Sequence, residues 1–173
     1  MKKKIGFTVL ITLIVLSFFF VARLQYRIFT VSTNQKDNTN KFPELNYTSI
    51  DGKKIDISFF KKLPKFKLIV IFNSDCDHCK YQITELLKNS EKLNRLFIFF
   101  ISAEPVSTLK QFGEKINISY FKNILMLNLD FISLTKTFDC SITPMLYLYN
   151  VDNILVRQYK GETPLDVILK DIN

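Results

Sequence analysis

The chain has no tryptophan, one histidine, three cysteines and four glycines among its 173 residues. Each shortage excludes something. A phosphate-cradling loop needs glycines close together, and four scattered ones do not make one. A structural zinc site wants about four nitrogen or sulfur ligands in a tetrahedron. Besides Cys76 and Cys79 the chain offers only Cys140 and His78, and His78 lies between the first two, where it can hardly join them on one ion. No metal is therefore expected. The odd cysteine count leaves one thiol over after any pair. Acidic residues are outnumbered, 16 Asp and Glu against 24 Lys and Arg, for a formal charge of +8. The lysines are scattered among Phe, Ile, Asn and Asp rather than gathered into a stripe, which argues against nucleic acid. A generally basic surface, with membrane proximity as a second cause, accounts for them.

Apolar residues make up 47% of the chain, enough for a full core in one domain plus a short appendage. Met1-Lys2-Lys3-Lys4 precedes an uncharged run from Ile5 to Ala22. As a helix that run reaches roughly 27 Å, near the thickness of a bilayer core. A cleaved signal peptide would want small residues at the first and third positions before the cut. Ala22 is small but Phe20 is not, and Arg23 follows at once. An uncleaved signal-anchor over residues 1–29 is the expectation. Three lysines before the span, against Arg23 and Arg27 after it, favour a cytoplasmic N-terminus and a domain outside, in the periplasm or at the cell exterior. Residues 30–41 are polar and read as a linker, leaving 42–173 as the globular part.

Within that part, Leu68-Ile69-Val70-Ile71-Phe72 reads as a buried strand, and Tyr81, Ile83, Leu86 and Leu87 as one face of a helix. Cys76 and Cys79 stand at the junction. Two cysteines one helical turn apart can close a small disulfide ring with little backbone movement. The first thiol meets the helix dipole and unpaired backbone N–H groups, which favour a thiolate. The thiolate attacks disulfides. Cys76 is thus the candidate nucleophile and Cys79 the resolving thiol, with no cofactor beyond their own redox-active disulfide. A permanent structural disulfide is the bland alternative.

The remaining pattern alternates. Leu45–Ile50 and Lys54–Ile57 flank an Asp51-Gly52 turn, and Ser58 is a candidate cap for a short helix ended by Pro64. The helix after the dithiol should run to about Asn94. Leu96–Ser102 reads as a strand buried on both faces. A helix begun by Glu104-Pro105 carries Val106, Leu109, Phe112 and Ile116 inward, and Ile124–Leu127 is a short strand. Asp130 should cap a helix with Ile132, Leu134 and Phe138 inward. Met145–Tyr149 and Ile154–Tyr159 form a closing strand pair, and Thr163-Pro164 opens the last helix. Alternating strands and helices predict an α/β fold, a central sheet with helices on both faces.

Four stretches then resemble the thioredoxin fold, in particular the membrane-tethered TlpA/ResA-like thiol–disulfide oxidoreductases. They are Phe42-Pro43-Glu44-Leu45 with Asp51-Gly52-Lys53, Leu68–Cys79, Ile142-Thr143-Pro144, and Asp152-Asn153-Ile154-Leu155 with Tyr159-Lys160-Gly161. Pro144 stands 68 positions after Cys76, room for the extra strand–helix unit of that group. The resemblance implies a cis bond between Thr143 and Pro144, facing the dithiol and leaving the Thr143 backbone for a substrate strand. It implies an enzyme that exchanges electrons with protein thiols and disulfides, commonly as a reductase, served by a membrane or extracytoplasmic redox partner. Family members often carry Trp-x-x-Trp before the first cysteine; here the residues are Phe72-Asn73-Ser74-Asp75. A peroxidase of this fold would use Pro-x-x-x-Thr-x-x-Cys, and a copper chaperone a wider cysteine spacing with a second histidine; neither is present.

Charges at the site oppose one another. A protonated His78 would favour the Cys76 thiolate, Asp75 and Asp77 would disfavour it, and Lys80 would partly offset them. Asp75 also reads as a plain helix cap. Some relatives use a buried acid for proton transfer; Glu104 and Asp130 are candidates, with a surface residue and a helix cap as their bland readings. Cys140, four residues before Pro144, reads as a small core residue or as a third redox thiol. A second function stays open, a binding or assembly module in which the dithiol is idle.

Overall fold

The computed structural model describes residues 15–23, 25, 40–138 and 140–172. The chain divides into two compact units, Met1–Asp37 and Asn38–Asn173. In the first, residues 15–23 are helical (α1), with Val15, Leu16, Phe18, Phe19, Phe20 and Val21 all exposed. Residues 5–14 of the expected span, and most of the linker, lie outside the described residues. Among the described residues no helix is long and apolar enough to cross a membrane.

The second unit is a mixed seven-stranded sheet with helices on both faces. Its strands are β1 (Tyr47–Ser49), β2 (Lys54–Ile55), β3 (Phe66–Ile71), β4 (Leu96–Ser102), β5 (Ile124–Asn128), β6 (Met145–Tyr149) and β7 (Leu155–Lys160). They lie in the order β2-β1-β5-β4-β3-β6-β7. β3, β4 and β5 run parallel; β6, β7 and the opening hairpin are antiparallel to their neighbours. Chain entry is earlier than Phe42, because Lys41 bridges to Ile154 and the Asn40 carbonyl accepts from the Leu155 amide.

The period of two along a strand sorts β3 between two cores. Leu68 and Val70 face one, with Phe72, Ile83, Leu86, Phe100, Leu109, Leu146 and Ile168. Ile69 and Ile71 face the other, with Phe42, Phe97, Phe99, Leu134, Phe138 and Tyr147. All seven residues of β4 are buried, as the continuous apolar run predicts. In the second core, rings pack on one another: Phe42, Phe60, Phe97, Phe99 and Tyr149 meet at centroid distances of 4.8–5.4 Å.

The helices are α2 (Ser58–Lys61), α3 (Asp77–Lys88), α4 (Val106–Lys115), α5 (Phe131–Thr137) and α6 (Leu165–Lys170). Four expectations are corrected. Ile57, not Ser58, is the cap of α2; Asp56 Oδ1 accepts from the Ser58 amide instead. α3 stops at Lys88 because the Asn89 side chain bonds back to the Glu85 carbonyl, and a 3-10 turn over Ser90–Leu93 follows. Ile132 is exposed, since only Leu134 and Thr137 of the short α5 point inward. β7 begins at Leu155 and ends at Lys160, one residue later than expected at each end.

Candidate active site: the dithiol turn

Parallel pairing builds the site. β3 and β4 end together, with Ile71 opposite Ile101, and the loops leaving the two strands emerge at the same edge. On the other side of β3, Ile71 pairs with Met145, so Thr143 and Pro144 arrive beside the turn after β3. The Thr143–Pro144 bond is cis, as the resemblance implies.

Cys76 itself caps α3. Its backbone is extended (φ −80°, ψ 119°), and its sulfur accepts from the Cys79 amide at 3.3 Å. The Cys76 thiol donates to the Thr143 carbonyl at 3.7 Å. Asp75 is therefore not the cap. It is exposed, its amide donates to Asn73 Oδ1, and its carbonyl accepts from Lys80 Nζ.

The two thiols are driven apart. Burial pushes the Cys76 thiol up, but hydrogen bonds from the Cys79 side chain and amide, the Thr143 hydroxyl and the His78 amide outweigh it and leave Cys76 below an ordinary thiol. Cys79 is fully buried against Phe72 and Ile83 in the first core. Burial first, then its bond and proximity to Cys76, push the Cys79 thiol up to about 11. One sulfur is half-exposed and favours the anion; its neighbour is covered and keeps its proton. That is the division of labour disulfide exchange needs.

The flanking charges are distributed unevenly. Asp77 pairs with Lys80 at 3.0 Å, out in solvent. The His78 ring is exposed and pairs with Glu162, with Nδ1 2.5 Å from Oε1, so it is the His78 backbone that meets the sulfur. Asp130 caps α5 through the Ser133 amide. Cys140 packs on the second core, on the opposite sheet face from Cys79, and its thiol donates to the Phe138 carbonyl at 3.5 Å.

Glu104 was a candidate acid, whereas two further partners, Gln82 and Glu162, were not anticipated. Glu104 is not a plain surface residue: its carboxylate accepts from the Ser74 amide (2.7 Å), the Ser74 hydroxyl (2.6 Å) and the Ser102 hydroxyl (3.0 Å). Positions 74 and 104 lie three residues beyond the paired Ile71 and Ile101, and that equal offset could have foretold their meeting once the pairing was known. Buried Gln82 accepts from the Thr163 amide at 2.6 Å, and Glu162 reaches His78, so the loop after β7 is tied to α3 twice. The same loop receives the proline segment, because the Gly161 amide donates to the Pro144 carbonyl. No local pattern marks Gln82 or Glu162.

No family model and no curated protein matches the sequence. Solved structures do. The thioredoxin domain of a thiol–disulfide oxidoreductase from Bacteroides vulgatus is similar at TM-score 0.60 and 18% identity, covering 78% of this chain and 97% of that one. A secreted Mycobacterium tuberculosis disulfide oxidoreductase aligns at TM-score 0.58 and 15% identity, over 75% and 94%. A thiol peroxidase from Chromobacterium violaceum aligns at TM-score 0.60 and 15% identity, over 76% and 83%. At these identities the likeness is one of fold, and the fold is that of thioredoxin.

Proposed function

We propose that this chain is a TlpA/ResA-like thiol–disulfide oxidoreductase, tethered to a membrane by its N-terminal segment and acting outside the cytoplasm. The observation that carries the reading is the split between the sulfurs, an acidified Cys76 at a helix cap beside Thr143 and a buried Cys79 held protonated. The oxidoreductases that share the fold support it. The tether rests on the uncharged N-terminal run, the lysines before it and the exposed apolar side chains of α1.

In the reducing direction, the Cys76 thiolate attacks one sulfur of a protein disulfide. The partner's S–S bond breaks, and its other sulfur leaves as a thiolate that takes a proton from water. A Cys76–partner disulfide has formed. Cys76 then carries no charge, so two of the causes that hold Cys79 protonated disappear while burial persists. Cys79 gives its proton to water and attacks the Cys76 sulfur, expelling the partner's first sulfur as a thiolate that takes up a proton in turn. The partner gains two electrons, and Cys76 and Cys79 end as a disulfide. A dithiol of a membrane or extracytoplasmic partner restores the pair by the same steps in reverse. Thr143 and Pro144 line the edge where the partner's backbone docks, and of Asp75, Asp77 and His78, which flank the sulfur, it is the His78 amide that supports the thiolate.

The test is covalent trapping in cells. Cys79→Ser should accumulate a mixed disulfide between Cys76 and its partner, visible on non-reducing gels; Cys76→Ser should not. Full function in both variants would leave only a binding module. Equilibration of the purified chain with glutathione reports direction. A potential near thioredoxin's, about −270 mV, agrees with a reductase, and one near DsbA's, about −120 mV, reverses that choice.

A further inference from the structure

We propose that Glu104 is a positioning residue for this chemistry, a carboxylate strut that holds the dithiol turn where the Cys76 sulfur meets the Cys79 amide. The inference rests on the reading of Cys76 as the nucleophile. The turn from Asn73 to Cys76 is closed by the Cys76 amide on the Asn73 carbonyl and by the Asp75 amide on Asn73 Oδ1. Those bonds lie within the turn and do not join it to the sheet. Ser74, at its centre, is buried, and both its amide and its hydroxyl donate to Glu104. Charge-assisted hydrogen bonds of this kind are roughly twice as strong as neutral ones.

Glu104 is itself anchored. Its carboxylate accepts a third bond from Ser102, and its amide donates to the Ser102 hydroxyl at 3.2 Å. Its carbonyl accepts from Asn128 Nδ2 at 2.8 Å, which ties it to the end of β5. The Leu129 amide bonds the Ser102 carbonyl from the same side. The strut therefore runs from the ends of β4 and β5 through one carboxylate to Ser74, two residues from the sulfur. The hydrogen bonds that acidify Cys76 come from Cys79, His78 and Thr143, all dependent on where this turn delivers the sulfur.

Position and charge predict opposite signs. If Glu104 acts only as a nearby negative charge, its removal makes the Cys76 thiolate easier to form. If it acts by position, its loss lets the sulfur drift from its donors and makes the thiolate harder to form. Glu104→Gln separates the two, because an amide removes the charge yet can still accept from the Ser74 amide, with the serine hydroxyl rotating to accept in turn.

The experiment uses the full purified chain. The Cys76 thiolate is titrated by its ultraviolet absorbance, and reduction of a small aromatic disulfide is timed at neutral pH. Glu104→Ala should raise the Cys76 titration by about one unit and slow the reaction about threefold, because a roughly tenfold smaller thiolate fraction is partly offset by a more nucleophilic thiolate. Glu104→Gln should stay within about twofold of wild type. Ser74→Ala loses only the hydroxyl arm and should move the titration the same way by less, which keeps the test open if Glu104→Ala does not fold. An unmoved titration with lowered thermal stability in Glu104→Ala would overturn the inference, as would a downward shift of more than about twofold in either Glu104 variant. If the wild type reduces nothing, the oxidoreductase reading fails, and the titration alone still decides the strut.

Discussion

Cys79→Ala should make Cys76 a weaker acid, and Cys79→Ser should not. The Cys76 sulfur sits at the cap of α3, where the Cys79 side chain is foremost among the groups that lower its pKa, and the Cys79 amide comes next. Alanine removes the side-chain donor and leaves the amide. A hydrogen bond to a charged group is worth about 1.5–3 kcal/mol. A thiol is a weak donor and Cys76 is half-exposed, so the low end applies. With about 1.4 kcal/mol per pKa unit, the Cys76 titration should rise by about one unit. Burial, the largest influence on Cys76, opposes the thiolate and persists in the variant. Below both pKa values the thiolate fraction then falls about tenfold. Serine supplies an O–H donor in the same place and should hold Cys76 near its wild-type value. Ultraviolet titration of the single remaining active-site thiol reads this directly, as does the rate of alkylation by iodoacetamide against pH. A titration that stays put or falls in the alanine variant would refute the hydrogen-bond account. So would a serine variant that moves as far as alanine.

Two buried polar groups give further expected outcomes. Tyr149 is fully buried, its hydroxyl has no partner among the described residues, and burial holds its pKa far above the ordinary phenol value. Tyr149→Phe should stabilise the chain by about 1 kcal/mol at neutral pH, measured by urea unfolding. A tyrosine whose folded pKa is raised contributes stability that is complete below about pH 10 and is lost as pH rises beyond it. The advantage of Phe should therefore grow above pH 10; an advantage that shrinks there contradicts the assignment. Gln82→Ala leaves the Thr163 amide without its 2.6 Å acceptor and should cost about 1–3 kcal/mol in the same assay. A neutral result would mean that the loop after β7 is held by other bonds.

The dithiol and its helix were legible because their signals are local. An apolar run, two cysteines one turn apart and a helical stripe occupy consecutive positions, and each constrains the backbone beside it. The same holds for the Asp130 cap, the Asp51-Gly52 turn and the buried β4. Short-range rules failed at helix ends and on the shortest helices. Ser58 lost the cap of α2 to the residue before it, Cys76 took the cap of α3 from Asp75, and Ile132 turned outward on a helix too short to bury a full stripe.

What tertiary structure decided is everything that joins distant segments. Ser74 and Glu104 meet because β3 and β4 are paired in parallel with Ile71 opposite Ile101. Thr143 reaches the Cys76 sulfur because β6 runs antiparallel beside β3. Glu162 pairs with the exposed His78 ring across 84 positions, a contact that no spacing announces. The linear order of residues determined which thiols could react and on what kind of element they stand. Which of them ionises depends on burial and hydrogen bonding, and those come from neighbours that only the folded sheet brings within reach.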